Sequence, residues 1–113
     1  MNYSISEKDG AVILTFKGKL MGGPESQLFR DEIKKIITKG KKNMVGDLGK
    51  VTFMNSSGLS TLIIALTSLR NAGGDLKICG ASDRIESILM VTKLITVFDH
   101  HQTLESAVEA FNT

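Results

Sequence analysis

The sequence passes from an apolar segment into a helical pattern across one stretch, Val51-Thr52-Phe53-Met54-Asn55-Ser56-Ser57-Gly58-Leu59. Residues 43–48, which have the pattern of a β-strand, lead into it. Beyond it, apolar residues recur on one face of a helix, at Leu59, Leu62, Ile63, Leu66 and Leu69. The polar residues 55–57 lie where a helix needs caps, because its first N–H groups lack partners within the helix. The stretch therefore predicts a strand, a turn and a helix, with two serines at the positive end of the helix dipole.

Helical geometry separates these two serines. At about 100° per residue, the leucine stripe centres opposite Ser57, which shares its face with Thr61, Ile64 and Ser68. Ser56 falls near the edge of the stripe, so we expect Ser56 to cap the helix and Ser57 to point to solvent. A phosphate on Ser57 would meet free N–H groups and a favourable dipole. On the residues alone, a pair of capping serines without regulation is the simpler interpretation, since serine is common at helix starts.

Length and composition indicate one ordinary globular domain over residues 1–113, with 42% hydrophobic and 23% charged residues. The net charge of +2 is too small to predict binding to nucleic acid or to an anionic membrane. We find no apolar run near the roughly 20 residues that span a bilayer and no signal-peptide pattern. Cys79, the single cysteine, permits no internal disulfide. These features predict a cytoplasmic protein with no nucleic-acid partner and no membrane insertion.

The rest of the chain predicts the element order β-β-α-β-α-β-α-β-α. The turn signal Asp9-Gly10 separates residues 2–7 from the apolar run 11–16, which predicts an antiparallel hairpin ending at Gly18. Residues 20–24 read as a loop before the first helix. The later segments each show a clear period and are predicted as a strand over 75–80, a helix from Ser82, a strand over 94–98 and a helix from Thr103.

This alternation of strands with helices of crossover length predicts an α/β domain. Parallel strands are seldom left exposed, so helices must cover at least one face of the sheet. We expect a mixed, mostly parallel β-sheet of about four or five strands, covered by about four α-helices.

Few residues have the pattern of catalytic or metal-binding groups. His100 and His101 lack partners nearby and read as exposed loop histidines, and Cys79 reads as a buried, inert thiol. Gly22-Gly23 lacks a phosphate-binding fingerprint. Asp47 is a candidate for the carboxyl edge of the sheet, where α/β folds place ligands, close to residues 55–57. One acid without a base, nucleophile or metal partner predicts neither an enzyme nor a cofactor.

The run from Asp47 to Leu59 closely resembles the signature of STAS-domain proteins, specifically bacterial anti-sigma factor antagonists. That pattern is an aspartate-leucine strand end, a short apolar link, and Asp-Ser-Ser-Gly-Leu opening a helix. The resemblance covers nearly the whole chain, including the Gly18-Lys19-Leu20 segment and the small C-terminal helix. It implies the STAS fold.

The resemblance also implies a partner-switching mechanism that controls sigma-factor-dependent transcription. In the family, the serine equivalent to Ser57 is phosphorylated by a serine kinase of the histidine-kinase-like ATPase fold that is also an anti-sigma factor. The unphosphorylated antagonist sequesters this kinase, and a metal-dependent serine phosphatase restores that state. The implied turn and cap residues are Asn55, Ser56 and Gly58, and the implied partner-binding surface comprises Leu20, Met21, Gly22, Asp47, Thr61, Ile64 and Ser68.

Two positions depart from the family pattern, and one alternative function stays open. Asn55 and Met21 stand where many members have aspartate. Asparagine caps a helix about as well as aspartate does, but the lost carboxylate changes the charge beside Ser57. The alternative is a STAS docking module in another regulatory or transport complex, with or without phosphorylation.

Overall fold

The helices and strands follow one another in the predicted order, and the computed structural model describes residues 2–112. The five strands are β1 (Asn2–Lys8), β2 (Ala11–Leu20), β3 (Asn43–Met54), β4 (Asp75–Cys79) and β5 (Asp99–His101). The four α-helices are α1 (Glu25–Thr38), α2 (Ser56–Asn71), α3 (Asp83–Val91) and α4 (Leu104–Phe111), and a 3₁₀ turn covers Leu94–Thr96.

The five strands form one sheet in the order β1-β2-β3-β4-β5. β1 is antiparallel to β2, and the remaining pairs are parallel. Asp9 and Gly10 connect the hairpin with φ values of 51° and 85°, the positive values that a tight two-residue turn requires at both positions. The prediction of a mixed, mostly parallel α/β fold is confirmed.

Alternation along the strands gives the sheet two apolar faces. Leu14 belongs to the larger cluster, which α1, α2 and α3 complete, whereas Ile13 belongs to the smaller one, which α4 completes. α2 and its first turn therefore lie on one side of the sheet and α4 on the other. No helix within residues 2–112 is long and apolar enough to cross a membrane.

β2 and β3 are both longer than predicted. β3 continues to Met54 instead of ending at Leu48, and β2 continues to Leu20 instead of ending at Gly18. The added segments pair with each other through two register shifts. Such irregularities break the two-residue alternation by which a strand is recognised in a sequence. Because of this extension, the end of β2 lies beside the start of α2 in space.

The fifth strand also lies later than predicted. Residues 94–96 form the 3₁₀ turn, which is preceded by Lys93 with φ of 64° and followed by Val97 and the buried Phe98. The fifth strand is Asp99–His101, so the predictions of a strand over 94–98 and of loop histidines are both wrong. An edge strand has one neighbour and tolerates polar side chains, so apolar periodicity does not reveal it.

Cys79 is buried on the face of the sheet that α4 covers. Ionisation of its thiol should lower the free energy of unfolding at alkaline pH. Burial first, and the carboxylate of Asp47 second, raise the pKa of this thiol to about 12 from 9.0. The stabilisation is complete below about pH 9 and is lost as the pH rises towards 12, because the unfolded chain ionises first.

We expect the free energy of unfolding, measured in urea, to fall from about pH 8 to about pH 10.5. Cys79→Ala should reduce this fall, and Tyr3, whose pKa is also raised to about 12, contributes to the remainder. A thiol alkylated at pH 8 as fast as a free cysteine would contradict the burial.

Candidate functional site

Asn55 caps the N-terminus of α2. Its backbone is extended, with φ of −104° and ψ of 178°, and its Oδ1 accepts a hydrogen bond from the N–H of Gly58 at 2.8 Å. Ser56 is already the first helical residue, so the prediction that Ser56 caps the helix is wrong. The cap comes from the last extended residue, because a side-chain oxygen at that position can accept a hydrogen bond from a free N–H group in the first turn of the helix. Ser56 and Ser57 are both exposed.

Removing the cap should cost more than removing either serine hydroxyl. Asn55→Ala is expected to lower the free energy of unfolding by about 1 kcal/mol, because it leaves the Gly58 N–H without its acceptor. Ser56→Ala, the neighbouring control, should change it by less than about 0.5 kcal/mol. Urea denaturation of the two variants measures the difference. A larger loss for Ser56→Ala would contradict the cap assignment.

The loop after β2 touches the first turn of α2 through two glycines. A Cβ at Gly22, which is half-buried, would lie 2.8 Å from both the Cβ and the carbonyl oxygen of Ser57. A Cβ at Gly58 would lie 2.7 Å from the carbonyl carbon of Leu20, and closer still to its oxygen. The absence of side chains at these two positions therefore brings the loop against Ser57.

A chain of hydrogen bonds holds α1, the loop and α2 together beside Ser57. The N–H of Gly23 donates to Ser26 Oγ at 3.0 Å, and Thr61 Oγ1 donates to the carbonyl oxygen of Ser57 at 3.0 Å. Ser26 Oγ and Thr61 Oγ1 lie 3.4 Å apart. Since Thr61 uses its only proton on Ser57, Ser26 donates to Thr61. The backbone of Ser57 is therefore fixed while its side chain is left exposed.

Two residues predicted for the partner-binding surface are buried. Leu20 and Thr61 expose only 1% and 3% of their surface, so their assignment to an exposed surface is wrong. Thr61 turns towards α1, and Leu20 joins the main core. Met21 and Ile64 are exposed by 42% and 37%, and Ser68 is half-buried. Exposed apolar side chains thus lie in the loop that touches Ser57 and on α2 itself.

Asp47 does not lie near Ser57. It sits in the middle of β3 in register with Cys79, on the face that α4 covers, and its Oδ1 accepts from the N–H of Gly49 at 3.0 Å. α2 covers the opposite face. Asp47 does lie level with the carboxyl end of β4, but the expectation that it lies close to residues 55–57 is wrong, because β3 continues for seven residues beyond it, over 48–54.

A polar cleft opens between α1 and α2 beside Ser57, and we refer to it as the α1–α2 cleft. Its volume is about 280 Å³. It is lined by Gly22, Gly23, Ser26, Arg30, Ser57, Ser60, Thr61 and Ile64. Arg30 is the only charged residue in this lining, and the remaining polar groups are hydroxyls and backbone. The chemistry of the cleft therefore suits an anion.

Sequence reasoning missed Arg30. Its position four residues after Ser26 on α1 places both residues on one helix face, which was the available signal. That spacing did not reveal that this face borders the first turn of α2. No group of three His, Cys, Asp or Glu side chains within residues 2–112 could hold a metal ion.

Comparison with known proteins identifies the family. The family model of the STAS domain matches residues 2–107, and the chain belongs to this family. The chain is 25% identical over 113 residues to BtrV of Bordetella bronchiseptica, a proposed anti-sigma factor antagonist, covering 100% of this chain and 97% of that protein.

Solved structures of two other proteins have the same fold. TM1081 of Thermotoga maritima, also a proposed anti-sigma factor antagonist, superposes with a TM-score of 0.85 at 21% identity, covering 98% of this chain and 95% of that one. The anti-sigma factor antagonist SpoIIAA in its unphosphorylated form gives a TM-score of 0.72 at 17% identity, covering 98% and 96%. Phosphorylated SpoIIAA of Bacillus gives 0.74 at 16% identity, covering 97% and 99%.

Proposed function

We propose that this protein is an anti-sigma factor antagonist whose binding to its partner is controlled by phosphorylation of Ser57. The observation that carries the proposal is the placement of Ser57: it is exposed on the first turn of α2, against the loop after β2. Its relative BtrV is a proposed anti-sigma factor antagonist, and SpoIIAA of the same fold has a phosphorylated form.

In the proposed cycle, the unphosphorylated protein binds an anti-sigma factor that is also a serine kinase of the histidine-kinase-like ATPase fold. The kinase transfers the γ-phosphoryl group of ATP to Ser57 Oγ, which loses its proton, and ADP is released. The complex then dissociates. A metal-dependent serine phosphatase hydrolyses the phosphoserine and returns the protein to its binding state. The cycle operates in the cytoplasm, where the sigma factor acts.

The local structure supports a change in binding without a change in fold. Asn55, not Ser57, caps α2, and the hydrogen bond between Ser57 and Thr61 uses the serine backbone. Met21 and Ile64 are exposed apolar side chains that suit a protein interface. A phosphate adds about −1.5 to −2 charges at this surface and opposes burial against a partner.

Affinity purification from the native organism tests the proposal, with three forms of the protein as bait. The baits are the unmodified protein, Ser57→Ala, and protein with phosphoserine introduced genetically at position 57. We expect the first two to retain one ATP-binding kinase and the third to lose it. Equal recovery of the same partners by all three baits would contradict the switch and favour a constitutive docking module.

A further inference from the structure

We infer that the α1–α2 cleft is a receptor for the phosphate of Ser57, in which the guanidinium of Arg30 pairs with the phosphoryl oxygens. The inference rests on the proposed function and assigns the phosphorylated side chain a position on its own domain. The phosphate then folds back into the cleft and does not simply project into solvent.

The first argument is the position of Ser57 in the wall of the cleft. Ser57 lines the cleft, and Thr61 holds its backbone in place through the Ser57 carbonyl, so a phosphoryl group on Ser57 Oγ would lie at the cleft. The cleft has a volume of about 280 Å³ and a mostly polar lining, which suits a small anion that is already tethered to its wall.

The second argument is the unsatisfied hydrogen-bonding capacity of Arg30. Arg30 is half-buried, and its Nε is buried without a hydrogen-bond partner among residues 2–112. A buried donor without an acceptor destabilises the fold, and a phosphate accepts two parallel bonds from a guanidinium. Phosphorylation of Ser57 would place an acceptor in the cleft that Arg30 lines, and the guanidinium would turn its Nε towards it.

The third argument is the charge balance of the cleft. Its lining contains the positive charge of Arg30, the hydroxyls of Ser26 and Ser60, and no carboxylate. The neighbouring cap residue is Asn55, which is neutral. The first turn of the 16-residue α2 adds the positive end of its dipole. Each of these charged or dipolar groups therefore favours an anion at Ser57.

Phosphorus NMR on protein carrying phosphoserine at position 57, introduced genetically, tests this inference without a kinase. We expect the second pKa of the phosphate to lie about one pH unit below the ordinary value near 6, because Arg30 stabilises the dianion. Arg30→Gln should return it to the value of an exposed phosphoserine. The second pKa of phosphoserine in a short unfolded peptide gives that reference value, because Asp83 and Glu86 lie beside the exposed Ser87 and would raise the pKa of a phosphate there.

A second measurement uses the unsubstituted chain, so the test does not depend on folding of the variant. The ¹H–¹⁵N resonance of Arg30 Nε should shift on phosphorylation at Ser57 and stay unchanged on phosphorylation at Ser87. A phosphate pKa at Ser57 equal to that of the unfolded peptide, or an unmoved Arg30 resonance, would overturn the receptor. Neither measurement uses a partner protein. Partner release on phosphorylation with an ordinary phosphate pKa would therefore retain the switch and remove only the receptor.

Discussion

Gly58→Ala should lower the free energy of unfolding by about 3 kcal/mol or more, although alanine is the better helix former. Alanine gains about 1 kcal/mol over glycine from helix propensity alone. At this position, however, its Cβ would overlap the carbonyl group of Leu20. That carbonyl cannot easily retreat, because it ends β2 and accepts a hydrogen bond from the N–H of Asn55 at 3.4 Å. The steric cost therefore exceeds the gain in propensity.

Gly23→Ala is the matched control, since a Cβ at Gly23 meets no atom within 4 Å. It should change the free energy of unfolding by less than about 0.5 kcal/mol. Urea denaturation of both variants, with far-UV circular dichroism as the signal, measures the two effects. If Gly58→Ala were as stable as the parent protein, the close approach of the loop to α2 would be wrong.

Phosphorylation of Ser57 should weaken binding of the kinase partner by about 100-fold or more, corresponding to about 3 kcal/mol. The phosphate must either be desolvated in the interface or keep the partner away from the exposed Ile64, which lines the α1–α2 cleft with Ser57. The thermal stability of the free domain should not fall, because Ser57 makes its hydrogen bond to Thr61 through the backbone. Isothermal titration calorimetry with the purified partner measures the affinity, and a thermal melt measures the stability.

Two controls separate a local effect from a general effect of charge. Ser57→Ala should bind within about threefold of the parent protein, because the substitution adds no charge and leaves the backbone contact intact. Phosphoserine at Ser87 adds the same charge on α3, outside the α1–α2 cleft, and should leave the affinity nearly unchanged. An equal loss of affinity at both phosphoserine positions would point to net charge and not to the site.

Local patterns in the sequence predicted most of the fold. The leucine stripe predicted α2, the Asp9-Gly10 turn predicted the β1–β2 hairpin, and strands alternating with helices predicted a mostly parallel sheet. Each of these signals involves residues close together in the chain. The errors lie where distant segments meet. β2 and β3 gain their extra residues only by pairing with each other.

The candidate site shows the same division between features that depend on neighbouring residues and features that depend on distant segments. Helical geometry predicted that Ser57 is exposed, but it misplaced the cap by one residue, which is the usual uncertainty of a helix boundary. It could not predict the burial of Thr61, because that depends on how closely α1 approaches α2. Arg30 was missed for the same reason, since only the packing of these two helices forms the α1–α2 cleft.

Peptide mass spectrometry on the protein isolated from its native cells tests the central claim most directly. We predict phosphate on Ser57 and not on the neighbouring Ser56, in a fraction that changes with growth conditions. Fragment ions that separate the two serines are essential, because both are exposed on the first turn of α2. Consistent absence of phosphate from Ser57 across growth conditions, in protein that still recovers its partner, would contradict the claim.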